Sequence, residues 1–145
     1  MTATPMISMH GARTALDAYT ALYTNPSKID IRTGSLPSNC GAARTGTSLS
    51  NACQFSATAF AASTDGGSNG LATATANAIA SDTNAAASGT AGYFYTHDNT
   101  PTTLAQGTCG TSLADMIMNT TTITAGDTIA ISSFVITLAD GSGND

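Results

Sequence analysis

The sequence predicts a mainly β chain, a sandwich or barrel with one short helix near its start. Three observations carry this. From Gly89 to Leu138, runs of β-branched and aromatic residues alternate with turn clusters at short, even spacing. Only one stretch, residues 9–23, shows a helical apolar stripe. The length of 145 residues, with 41% hydrophobic content, suits a single domain over residues 1–145 with one modest core.

Residues 1–8, which include Pro5, read as an extended arm. Met9, Ala12, Leu16, Tyr19 and Leu22 or Tyr23 then share one helix face, and Asn25-Pro26 stops the helix. Lys28-Ile29-Asp30-Ile31-Arg32 alternates as a half-buried strand, with both isoleucines inward and the charges on its wet face. Residues 33–47 read as loop. Leu49 to Ser56 is a strand with Leu49, Phe55 and Cys53 inward. Ser63 to Gly70 reads as a flexible Gly/Ser loop. In Leu71 to Ile79, threonine at every second position favours a strand with one Thr face and one Ala face. Residues 81–84 form a turn.

Gly92 to His97 is the next strand, closed by Asp98 to Pro101. Leu104 to Cys109 and Asp115 to Asn119 follow. Thr128 to Leu138 is the longest. Ile129 and Ile131 lie on one parity, and Phe134, Ile136 and Leu138 on the other. A β-bulge at Ser132-Ser133 would return both sets to one core. Residues 139–145 form a polar tail.

Charged residues are only 9% of the chain. All nine acids are aspartate, and the cations are Arg13, Lys28, Arg32 and Arg44. A net charge of −5 argues against nucleic acid as the partner. A surface of hydroxyls and amides suits an assembly, because few charges need desolvating at a contact. No basic segment leads into an apolar run and no stretch approaches membrane-spanning length, so neither a signal peptide nor a membrane partner is expected. Of Cys40, Cys53 and Cys109, an odd set, all three cannot pair internally. A Cys40–Cys53 bridge across a loop is one option; buried free thiols in a chain made in the cytoplasm are the preferred reading.

His97-Asp98 is the one pair able to orient an imidazole, yet both are also ordinary turn residues. The Gly-rich run near Gly66 lacks the lysine of a phosphate loop. The cysteines and histidines have no zinc spacing, and the aspartates beside turns (Asp98, Asp115, Asp127, Asp140) match no calcium loop and read as solvated. No enzyme activity, cofactor or metal is expected. Tyr93 and Tyr95 share one strand face, which would serve a glycan-binding module if flat and exposed.

The order of motifs resembles a known family. An N-terminal helix with Arg13 and Leu16 precedes Lys28-Ile29-Asp30-Ile31-Arg32 and a turn with Pro37. Phe55 to Phe60, an Ala/Thr strand and Ser88-Gly89-Thr90-Ala91-Gly92-Tyr93-Phe94 follow. Then come Gln106-Gly107-Thr108-Cys109-Gly110-Thr111-Ser112, Asn119-Thr120-Thr121-Thr122-Ile123 and Thr128 to Phe134. This is similar to the cement, or decoration, proteins that coat the capsids of some short-tailed bacteriophages. The resemblance implies a jelly-roll-like antiparallel β-sandwich without catalytic residues. It implies a homodimer or homotrimer on the outer face of the major capsid protein, in the virion, after synthesis in the host cytoplasm. Arg13, Lys28, Arg32 and Arg44 are the expected capsid contacts. A tail, fibre or adaptor component and a carbohydrate-binding module are the alternatives.

Overall fold

The computed structural model describes residues 5–67, 70–100 and 102–140. Among them lie one helix and ten strands: α1 (Met9–Thr20), β1 (Lys28–Thr33), β2 (Ser48–Phe55), β3 (Thr64–Asp65), β4 (Leu71–Thr75), β5 (Ile79–Ala80), β6 (Gly89–His97), β7 (Thr103–Gly110), β8 (Met116–Met118), β9 (Thr122–Ile123) and β10 (Ile131–Ala139). The strands hydrogen-bond in the order β3-β4-β10-β8-β7-β6-β1-β2-β5, with β9 on β6. β4 and β5 sit near opposite ends of that order yet are separated in sequence only by residues 76–78. The sheet is therefore curled, and its ends approach across bridges from Phe60 to Ala76 and from Asp82 to Ile129.

Helix α1 starts where Ser8 caps it, accepting from the Gly11 amide at 3.2 Å. It ends at Thr20 rather than Tyr23, because residues 21–24 tighten into short-range turns in which Leu22 bonds Tyr19 and Tyr23 bonds Thr20. The stripe holds: Ala12, Leu16 and Tyr23 are buried. The helix packs on β4 and β10. There Ala72 and Ala74 are fully buried while Thr73 and Thr75 turn outward, so small side chains let the helix lie close.

The core is a connected set of rings. Tyr23 meets Phe55 at 5.1 Å and Phe60 at 4.9 Å between centroids, and Phe134 meets Phe94 edge to face at 5.3 Å. Phe134 reaches this cluster because the ladder of β10 with β8 slips between Ile131 and Ser133. That slip is the bulge expected at Ser132-Ser133, and it puts buried Ile129 and Phe134 on one side, but Leu138, expected in the same core, is 36% exposed.

Four expectations need correction. Asp30 is not on a wet face: it is 3% exposed. β7 and β8 pair in parallel through Cys109 and Met116, so the strands are not all antiparallel. The close β7–β8 pairing is held by the Asp115 carboxylate, which accepts both the amide and the hydroxyl of Thr108 at 2.8 Å. Within the 63–70 stretch, Thr64-Asp65 forms a strand on β4; residues 68–69 lie outside the described residues. Asp140 is fully buried with its amide bonded to Gly70, so the first part of the expected tail belongs to the body. The arm and tail at residues 1–4 and 141–145, like Pro101, lie outside the described residues; residues 5–8 are exposed.

Candidate functional site

The outer face of β1, β6 and β7 collects the polar side chains that the sequence singled out. Alternation along β1 sends Lys28, Asp30 and Arg32 to this face, opposite His97, Tyr95 and Tyr93 of β6. On the far side of β6, Tyr95 faces Gln106 and Tyr93 faces Thr108. The segment 34–47 folds down over this face.

Two glycines make that closure possible. At Gly46 φ is +68°, and a Cβ there would lie 2.0 Å from the Thr33 carbonyl oxygen. At Gly92, on β6, a Cβ would lie 2.0 Å from the Gly34 carbonyl oxygen. Backbone therefore rests on backbone at both ends of the loop.

Side chains then fasten it. The Tyr93 hydroxyl donates to the Thr45 carbonyl at 2.8 Å and accepts from the Thr45 amide at 3.1 Å. Arg32 donates to Thr45 O at 3.1 Å, to Gly46 O at 2.8 Å and to the Asp30 carboxylate at 3.0 Å. The second Asp30 oxygen accepts from Ser48 at 2.6 Å. Arg44 lays its guanidinium 4.1 Å above the Tyr95 ring centre and donates to Gln106 Oε1 at 2.8 Å, to the Cys40 carbonyl at 3.0 Å and to Thr103 Oγ1. Gln106 in turn donates to the Pro37 carbonyl at 2.7 Å. Burial, with the Asp30 carboxylate close by, pushes the Tyr95 phenol up to about 12.

This geometry decides the tyrosine question. Tyr93 is fully buried and Tyr95 half-buried under Arg44, so the face offers no flat aromatic platform for a sugar.

The four cations do not form one patch. Arg13 clasps the helix to the segment before β3: it donates to the Ser63 carbonyl at 3.1 and 2.9 Å, and Asp17 accepts the Ser63 amide at 2.7 Å. Arg32 and Arg44 meet around Tyr95. Lys28 lies at the other end of β1, beside His97, and its side chain makes no hydrogen bond or ion pair among the described residues.

His97 and Asp98 do not form an imidazole–carboxylate pair. Nδ1 of His97 meets the Asp98 carbonyl and Nε2 meets Asn51 Oδ1, both at 3.0 Å. The Asp98 carboxylate instead caps its own turn, accepting from the Thr100 hydroxyl and amide and from the Thr102 amide, which holds its pKa below the usual carboxylate value. The small cleft there is lined by Pro26, Lys28, Asn51, His97, Asp98 and Asn99, without a hydroxyl nucleophile. Among the described residues no three His, Cys, Asp or Glu side chains converge to hold a metal. All three cysteines are free thiols. Cys53 and Cys109 are buried, and burial pushes Cys109 up to about 11. Cys40, on the loop, is exposed, contrary to expectation.

Two features escaped the sequence reading. Asp82, within the expected turn 81–84, is buried: Ser50 donates to one oxygen at 2.6 Å and the Asn84 amide to the other at 2.9 Å. Leu113, between β7 and β8, is fully exposed at a φ of +50°. Neither has a motif; a serine thirty-two positions from its carboxylate partner gives no local signal.

No family model, curated protein or solved structure matches this chain.

Proposed function

We propose that the chain is a non-enzymatic cement protein of a bacteriophage virion, a rigid β body that binds the outer surface of the capsid and stabilises the shell. The curled sheet is read as a jelly-roll-like sandwich serving that role. The observation that carries the reading is the closure of the loop 34–47 over the sheet. The polar groups that would form a ligand cleft are spent on fastening the chain to itself. What remains outward is a surface of small, hydroxyl-bearing side chains, with Met6 and Ile7 exposed ahead of the helix at 71% and 48%.

Such a body needs only repeated contact. Many identical weak contacts across neighbouring shell subunits add through effective concentration. They stabilise the intact shell because they bind it in preference to its dissociated subunits. Of the four cations expected at the shell, Lys28 is the one whose side chain has no partner among the described residues, and it is proposed to meet an acidic partner surface. Arg13, Arg32 and Arg44 serve the fold itself. Partners are therefore the major capsid protein and further copies of this chain.

Copy number per purified virion, measured by quantitative mass spectrometry against the major capsid protein, tests the reading. About one chain per shell subunit is expected for a lattice-covering protein. A handful per particle would move the chain to a tail, fibre or vertex, and its absence from virions would overturn the proposal.

A further inference from the structure

The loop between β7 and β8 presents Leu113 in a way its own fold does not explain. The side chain is fully exposed, so it buries nothing, and its φ of +50° is one that a bulky L residue adopts only under constraint. Glycine or asparagine would suit this backbone better. The loop is also fixed. Asp115 accepts the amide and the hydroxyl of Thr108, both at 2.8 Å, and sits where a Cβ on Gly107 would come within 2.8 Å of its carboxylate. Leu113 is thus an apolar knob held out from the surface on a rigid support.

A matching hole lies elsewhere on the same chain. The end of α1 and residues 57–62 enclose an open cleft of about 350 Å³. Tyr23 and Phe60 form its floor, and Ala57, Ala61 and Ala62 contribute to its walls. A pocket of about 150 Å³ already takes a benzene-sized group, so this one admits a leucine side chain with room for the flanking loop. The one carboxylate in the lining, Asp17, is turned to the Ser63 amide, and residues 110–114 carry no charge. The knob and its loop therefore bring no charge of their own into the cleft.

We infer that copies of this chain associate head to tail, Leu113 of one copy seating in the Tyr23–Phe60 cleft of the next. Knob and hole are different surfaces, so the contact is heterologous. It gives a closed ring where the rotation closes and a chain of subunits where it does not. The inference stands apart from the shell reading, because it is tested on purified protein without a capsid.

The test is the mass of the full-length protein by light scattering and sedimentation across a wide concentration range. Wild type is expected above the monomer mass. L113D and L113G, altered at a fully exposed side chain, are expected to be folded and monomeric; L113G melts no lower than wild type. A61F, which fills the cleft from an exposed wall position, is expected to be monomeric too. Mixing L113D, which keeps the hole, with A61F, which keeps the knob, should restore a two-chain complex. A monomeric wild type, an assembled L113D, or a mixture of folded variants that stays monomeric would each overturn the inference. An A61F that still assembles while L113D does not would overturn it too, and would identify a symmetric knob-to-knob contact.

Discussion

Arg44→Ala is the most direct test of whether the 34–47 loop is locked to the sheet. The guanidinium sits 4.1 Å from the Tyr95 ring centre, and such a stack at a partly exposed site contributes about 0.5–1 kcal/mol. Its three hydrogen bonds, to Gln106, Cys40 and Thr103, contribute about 0.5–1 kcal/mol each after screening by solvent. The Gln106 and Thr103 side chains lie near enough to the surface for water to replace Arg44, so no large penalty for a stranded polar group is added. The sum is about 2–4 kcal/mol. For a chain of this size that corresponds to a fall in Tm of about 6–12 °C. Urea unfolding followed by tyrosine fluorescence is the assay, since the chain has no tryptophan. Arg44→Lys keeps the charge but loses the planar fork, so it should recover about a third of the loss at most. Tyr95→Leu removes the ring and leaves the fork, at about 1 kcal/mol. A loss below about 0.5 kcal/mol for Arg44→Ala, or full recovery by lysine, would show that Arg44 is an ordinary surface charge; both thresholds follow from the typical worth of exposed ions.

Gly46→Ala should destabilise by at least about 2 kcal/mol, because the left-handed backbone and the Thr33 carbonyl both reject a Cβ; unfolding midpoints check this, and an unchanged midpoint would mean the loop is not seated. Asp82→Ala should cost about 2–4 kcal/mol by leaving the Ser50 hydroxyl buried without its acceptor, while Asp82→Asn should cost less. Thiol titration should count one reactive cysteine in the native protein, Cys40, and three after denaturation; three fast thiols at the outset would place Cys53 and Cys109 outside the core. The Tyr95 phenol, raised to about 12 when folded against about 10 when free, is held protonated by folding. Its contribution to stability is complete below about pH 10 and is lost as pH rises toward 12. Phenolate absorbance should therefore lose one tyrosine titrating at about 12 in Tyr95→Phe, while Tyr19 and Tyr23, also raised by burial, still titrate late.

Patterns that repeat locally were legible in the sequence. The Thr/Ala alternation of β4, the helical stripe through Ala12 and Leu16, and the phase change at Ser132-Ser133 each reflect a contact between residues close in the chain. What escaped depends on distant segments. Asp30 alternates like a solvent-facing charge, and only the loop arriving from residues 34–47 buries it. The parallel pairing of β7 and β8 hangs on one carboxylate seven positions from Thr108. Arg44 looked like a free cation because Tyr95 and Gln106, its partners, lie fifty or more positions away. The candidate site is a long-range closure, and long-range closures leave no period to read.

The chain's use of aspartate alone has the same origin as its bland surface. Asp65 accepts the Gly67 amide, Asp82 the Asn84 amide, Asp98 the Thr100 amide and Asp127 the Thr124 amide. A carboxylate on one methylene reaches a backbone N–H two or three residues away; glutamate's longer arm does so poorly. These acids are turn fasteners, just as Arg13, Arg32 and Arg44 are segment fasteners. Charge spent on holding turns and loops is weakly available to steer a partner or to repel a neighbouring copy. Recognition by such a surface must then come from shape and apolar contact. That makes Leu113, Met6 and Ile7, which the fold leaves uncovered, a better guide to where this chain meets its neighbours than any of its ions.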